Sequence, residues 1–126
     1  MSKGFDQVNQ EHFRDRLILL AIGAFLFFGN LGAAPLWDRD EPRNAGCTAE
    51  MLAANDLVVP VFNDELRTHK PIMLYWLMMV SYAVFGVSEL GARAVSAFAG
   101  LGTVLLTYEI GRRLFDRGAA FWSAVA

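Results

Sequence analysis

Two runs without a single charged residue dominate this chain: Leu17–Trp37, 21 positions, and Pro71–Ser88, 18 positions. A helix rises about 1.5 Å per residue, and the hydrocarbon core of a bilayer is about 30 Å thick. The first run predicts a helix of roughly 31 Å, polar in its interior only at Asn30. The second predicts one of roughly 27 Å, enough to cross with modest tilt. Pro71 stands where a helix tolerates proline, in the first turn. A third run, Ala94–Tyr108, holds 15 residues between Arg93 and Glu109. Its Gly100 and Gly102, with Ala94, Ala97 and Ala99, form a small-residue face suited to close packing against another membrane helix. A fourth run, Gly118–Ala126, stops after nine residues, too few to span.

Composition agrees. Of 126 residues, 55% are hydrophobic and 19% charged, against about 45–50% and about 25% in globular chains. Such apolar content excludes intrinsic disorder, and the single cysteine, Cys47, excludes a disulfide scaffold. A net charge of −2 shows no basic excess, so nucleic acid is not an expected partner. The expected fold class is an all-α membrane protein with polytopic transmembrane helices. It divides into a polar N-terminal tail (1–16), spans at 17–37, 71–88 and 94–111, a loop at 38–70, and the start of a fourth span at 118–126. The sixteen-residue polar leader, with Pro35 after Ala33-Ala34, does not read as a cleaved signal peptide. The cut-short fourth run reads as the N-terminal piece of a longer polytopic protein.

The loop carries the polar chemistry, with seven acids and four bases. Pro42 after an acidic pair reads as a helix start, with Asp40 or Glu41 near the N-cap and an end near Asn55-Asp56. Ala45, Ala49 and Leu52 give that helix a modest apolar stripe along the membrane surface. Asp40 and Glu41 lie just beyond the first span. Each fits helix capping, and each fits a carboxylate acting as general base or metal ligand at the membrane boundary. Adjacent acids project in different directions, so at most one aims at a reacting atom, and spacing does not say which. Lys70 fits snorkelling to headgroups or holding a lipid phosphate. Arg43, one helical turn after Asp40, fits the same phosphate role or an ion pair. His69 beside scattered acids is a weak metal signal, and Cys47 reads as a small packing residue.

The order Trp37-Asp38-Arg39-Asp40-Glu41-Pro42-Arg43, Ala49-Glu50-Met51, Val59-Pro60, Asn63, His69-Lys70-Pro71 is more specific. With Phe85-Gly86, Glu89-Leu90, Ala92-Arg93, Ser96-Ala97 and Gly111-Arg112-Arg113-Leu114-Phe115, it resembles the dolichyl-phosphate-mannose–protein mannosyltransferase superfamily. The likeness is to the bacterial branch containing the lipid A aminoarabinose transferase. That resemblance implies a GT-C fold with a juxtamembrane helix in the first extracytoplasmic loop. It also implies an inverting glycosyltransferase of the bacterial inner membrane, multi-pass, with its active-site loop periplasmic. The implied donor is a polyprenyl-phosphate sugar, and the acceptor lipid A, a glycan or a protein. Asp40 falls on the catalytic carboxylate, Glu41 on its motif neighbour, and Lys70 on the contact to the lipid-linked phosphate. Arg43 and His69 join Lys70 as expected substrate-binding positions. Part of the family has an acid where this chain has His69, so no cofactor is assigned and a divalent metal ion is left open. The competing reading is a non-catalytic polytopic protein, a transporter segment or assembly subunit, whose loop acids only cap and solvate.

Charge counting opposes this orientation. With a cytoplasmic N-terminus and three alternating spans, four Lys and Arg lie inside (Lys3, Arg14, Arg16, Arg93) and seven outside. The positive-inside rule favours the reverse.

Overall fold

The computed structural model describes residues 2–126 apart from Asp38, Asp64 and His69, with side-chain burial from Val8 onward. The chain is mostly helical and divides into two compact units, residues 1–29 with 97–126, and residues 30–96. Helices α1 (Ser2–Phe28), α2 (Glu41–Ala54), α3 (Ile72–Phe85), α4 (Glu89–Leu114) and α5 (Arg117–Val125) are joined by a short hairpin, β1 (Val61–Phe62) and β2 (Glu65–Leu66).

In the unit formed by 1–29 and 97–126, α1 runs antiparallel to the later part of α4. His12 Nδ1 lies 2.9 Å from the Tyr108 hydroxyl, and Arg16 pairs with Glu109 at 2.6 Å. At the other end the rings of Phe28 and Phe98 meet edge to face at 4.9 Å. Gly23 admits Leu101 and Gly100 admits Phe27, where a Cβ would stand 2.6 Å and 3.1 Å from the neighbouring carbon. Gly102 meets nothing within 4 Å, so the small-residue face is used only in part. Helix α5 packs Ala120 and Ala124 with Leu19 and Tyr108. It is capped by the Asp116 carboxylate, which accepts from Ala119 N at 3.0 Å.

The unit of residues 30–96 is built on α2 and α3. Pro42 opens α2 and Asn55, in the left-handed region at φ 52°, closes it. Its buried face is Ala45, Cys47, Thr48 and Met51, and Leu52, expected on the apolar stripe, is exposed. Against it α3 lays Tyr75, Met78, Met79 and Tyr82, a stripe at helical spacing. The Tyr82 hydroxyl donates to Ala45 O at 3.3 Å. The opposite stripe of α3, Met73, Trp76, Leu77, Val80 and Val84, is exposed. Tyr75 and Tyr82 are thus packing residues, while Trp76 is exposed and donates to Leu57 O at 2.7 Å.

Helix limits differ from the sequence-based bounds for physical reasons. The tail 2–16 is helical and forms the first half of α1. The run 17–37 is helical only to Phe28, then turns, because Gly29, Asn30 and Gly32 are poor helix formers and Pro35 excludes α geometry at the residue before it. The run 71–88 is helical over 14 residues, Ile72–Phe85, about 21 Å. Gly86, at φ 77°, turns the chain out of the helix. The run 94–111 lies inside α4, whose 26 residues make it the one helix here, among the described residues, long and apolar enough to cross a membrane.

Candidate functional site

Asp40 occupies the N-cap position of α2, yet its side chain makes no capping hydrogen bond. The carboxylate instead faces two cations from the far end of the same loop. Lys70 Nζ approaches Oδ2 at 3.0 Å and Arg67 Nη2 approaches Oδ1 at 3.5 Å. The Lys70 hydrogen bond and its charge, with weaker help from Arg67 and Arg43, hold the Asp40 carboxyl below its ordinary range. The group is ionised at neutral pH and stays accessible, with 53% of its side chain exposed. Pro71 stops the backbone from coiling before Lys70 and leaves the lysine at the mouth of α3.

Glu41 points elsewhere. Its two oxygens receive Arg93 Nε at 2.8 Å and Nη2 at 2.9 Å. The same guanidinium donates to the carbonyls of Leu31 (3.1 Å), Ala34 (2.7 Å) and Pro35 (3.0 Å). This bidentate pair lowers the Glu41 carboxyl. It ties the start of α2 to residues 31–35 and the first turns of α4, within the one unit. Two adjacent acids therefore serve two different partners.

Arg43 adds its charge to the field at Asp40 but makes no ion pair within 4 Å among the described residues. It lines a cavity of about 410 Å³ with Phe62, Asn63, Glu65 and Arg67. Arg67 was not legible as a site residue. It is 12% exposed, donates from Nη2 to Asn44 Oδ1 at 3.2 Å, and has its backbone N–H on Pro60 O at 2.8 Å. Its signal in the sequence is faint, a lone arginine between the hairpin and Lys70. Glu50 is an organiser, and its carboxylate accepts the Asn63 N–H at 3.2 Å on both oxygens. Cys47 is fully buried, and burial raises its thiol pKa. His69 lies outside the described residues. Among the described residues no three His, Cys, Asp or Glu side chains gather to hold a metal ion.

What this arrangement offers is a carboxylate ionised at neutral pH and clasped by cations that an incoming anion can attract away. A phosphate drawing Lys70 and Arg67 toward itself would leave Asp40 more basic than at rest, since an opposite charge nearby is what depresses it.

The family model for dolichyl-phosphate-mannose–protein mannosyltransferase matches residues 69–126, a stretch that includes Lys70 and Arg93 but not Asp40. A protein of unassigned function from Aquifex aeolicus is 40% identical over 111 residues, 86% of this chain and 26% of that protein. The undecaprenyl phosphate-alpha-4-amino-4-deoxy-L-arabinose arabinosyl transferase of Shewanella sediminis is 35% identical over 101 residues, 80% of this chain and 18% of that protein. A second transferase of that name, from Pseudomonas fluorescens, is 40% identical over 100 residues, 79% of this chain and 17% of its own length. The chain thus spans between 17% and 26% of the length of these relatives. No solved structure matches it. On these matches the chain is similar to the dolichyl-phosphate-mannose–protein mannosyltransferase family over residues 69–126, and to the two named transferases over about 80% of its own length.

Proposed function

We propose that the protein is a multi-pass glycosyltransferase of the bacterial inner membrane. It moves a sugar from a polyprenyl-phosphate donor to a lipid A, glycan or protein acceptor on the periplasmic face, with inversion. The observation that carries this reading is the Asp40 carboxylate clasped by Lys70 at the mouth of an apolar helix, where a lipid phosphate would arrive. Lys70, with Arg43 and His69 as further substrate-binding positions, stabilises the charge that develops on the departing phosphate. The acceptor oxygen attacks the anomeric carbon from the face opposite the phosphate. The bond from that carbon to the phosphate oxygen breaks, and polyprenyl phosphate leaves with the electron pair. For a hydroxyl acceptor Asp40 takes the proton. An ionised phosphate acceptor has none to give, and Asp40 then orients it. Glu41 supports the motif through Arg93.

The membrane topology we propose has two crossings in place of three. One is α1 with the uncharged turn after it, and the other is α4. We keep α3 on the loop side on grounds of charge, because a third crossing there would put Arg112, Arg113 and Arg117 outside. The uncharged stretches of α1 and α4 lie side by side, and Arg117 reaches both Glu11 and Asp15 at 2.6 Å at their charged end. Six Lys and Arg (Lys3, Arg14, Arg16, Arg112, Arg113, Arg117) then lie inside and five (Arg39, Arg43, Arg67, Lys70, Arg93) outside, which removes the conflict with the positive-inside rule.

Full-length protein in proteoliposomes with an undecaprenyl-phosphate-linked sugar is expected to release undecaprenyl phosphate only when acceptor is added. No release with any of the three acceptor classes would favour the non-catalytic reading. Orientation has its own test. Cys47 is buried, so an impermeant maleimide needs an exposed thiol in a Cys47→Ala background. Ala53→Cys is expected to label in intact cells and Arg113→Cys only after permeabilisation; the reverse pattern overturns the proposed orientation.

A further inference from the structure

We propose that the cavity between the charged end of α1 and the start of α5 is a membrane-lipid site that selects a phospholipid headgroup carrying a primary ammonium. The inference rests on the reading above that α1 and α4 cross the membrane, and not on the direction in which they cross. The cavity holds about 440 Å³, in the range of small-ligand sites. Ile18, Phe121 and Trp122 form its apolar wall, and Arg14, Asp15 and Arg117 its polar one. That division follows the sequence. Arg14, Asp15 and Arg16 are the last charges of α1 before the uncharged run that begins at Leu17, so the cavity stands where headgroups give way to hydrocarbon. Trp122 is exposed there, and tryptophan is enriched at that depth.

The polar wall is fixed before any ligand arrives. Asp15 is buried, and its carboxylate accepts from Arg117 Nε at 2.6 Å, from Arg117 Nη2 at 2.7 Å and from the Tyr108 hydroxyl at 3.1 Å. The third Arg117 nitrogen, Nη1, donates to Glu11 at 2.6 Å. One guanidinium thus serves two carboxylates, which leaves a surplus negative charge on the side of the exposed Glu11. Arg14 is the opposite case. It is exposed, lines the same cavity and makes no ion pair within 4 Å among the described residues.

The surplus negative charge and the lone cation cancel in sum without meeting. A ligand that is neutral overall, with its own phosphate and ammonium, matches both. The phosphodiester accepts from the Arg14 guanidinium, the ammonium donates to the Glu11 carboxylate, and the start of the acyl chains lies on Ile18, Phe121 and Trp122. A choline headgroup carries the same charges but has no N–H to donate. A glycerol headgroup brings a net negative charge and nothing to balance Glu11.

The test is native mass spectrometry of the full-length protein titrated with phosphatidylethanolamine, phosphatidylcholine and phosphatidylglycerol of identical chains. Comparison of wild type with variants isolates this cavity from other lipid contacts. Wild type is expected to bind the ethanolamine lipid about fivefold more tightly than the choline lipid, since only the former donates to Glu11. Glu11→Gln, at an exposed position, should shrink that preference to within about twofold. Arg14→Gln should weaken both lipids alike, by about fivefold, the order one basic residue contributes at a lipid phosphate. Arg113→Gln, at the same end but outside the cavity, should change either by less than about twofold. Equal binding of ethanolamine and choline lipids by wild type overturns the site. Tighter binding of the glycerol lipid overturns it too, and so does an Arg113→Gln effect as large as that of Arg14→Gln, because a general basic surface would then explain the binding. Equal affinity for soluble glycerophosphoethanolamine overturns the lipid assignment. Maleimide labelling and transfer on the same samples separate the readings. Labelling and transfer that hold without a lipid preference remove the site alone. A preference that depends on Arg14 and Glu11 in a protein without transfer keeps the site and removes the enzyme.

Discussion

Asp40→Asn in the full-length protein is expected to cut transfer by about 10²–10⁴-fold while leaving expression and membrane insertion intact. The exchange keeps size and shape and removes only the charge. Folding should survive it, because the side chain is more than half exposed and its partner Lys70 is itself 36% exposed. Exposed pairs contribute little to stability. The pH dependence supplies the sign. Asp40 has its pKa lowered from 3.8, first by the Lys70 hydrogen bond, so kcat/KM should fall only when pH drops below the ordinary carboxylate range. Removing Lys70 lets that pKa rise, and the acid limb should move to higher pH with it. Transfer at the wild-type rate by Asp40→Asn would end the catalytic assignment. An acid limb that ignores Lys70→Met would detach the limb from this carboxylate.

Helix α2 was legible almost to the residue, because its punctuation is local. Proline after an acidic pair starts it, and Asn55 in the left-handed region ends it. The membrane runs were harder to read. Absence of charge marks a segment as apolar without saying whether it is helical throughout. The run 17–37 contains its own breakers at Gly29, Asn30, Gly32 and Pro35. In 71–88 the two faces of the helix differ in what they meet and not in polarity. Tyr75, Met78, Met79 and Tyr82 are buried while Met73, Trp76, Val80 and Val84 are exposed, and both sets are apolar. No periodicity scan separates them.

The site divides along the same line. Asp40 and Lys70 were legible through motif order, and the structure brings them together. Which of two adjacent acids faces that lysine depends on the turn into α2, and spacing leaves it open. Arg67 was invisible because its role comes from a hairpin two residues per strand long, whose register sets Val61 against Leu66. Strands so short leave no alternating pattern to read. Arg93 was legible only as part of the Ala92-Arg93 element of the resemblance, with no role attached, although its five hydrogen bonds join segments that sequence separates by more than fifty residues.

Arg93 therefore carries the second large expectation, this time on stability. Arg93→Met should destabilise the unit of residues 30–96 by about 2–4 kcal/mol, because it strands a carboxylate and three carbonyls at once. Its side chain is 18% exposed and that of Glu41 35%, so water compensates only in part. Glu41→Gln keeps one acceptor oxygen for the guanidinium and should cost less, about 1–2 kcal/mol. Arg93→Lys should resemble the methionine variant more than wild type, since an ammonium cannot reproduce the planar fork that reaches one carboxylate and three carbonyls. Thermal unfolding of the purified full-length variants measures the order, and a double-mutant cycle isolates the pair. Kinetics then distinguishes the neighbouring acids. If Glu41 acts through structure, Glu41→Gln should retain near-wild-type kcat per folded molecule at a temperature well below its unfolding, in contrast to Asp40→Asn. A collapse of kcat in fully folded Glu41→Gln would make Glu41, held 2.8 Å from Arg93, part of the reacting machinery.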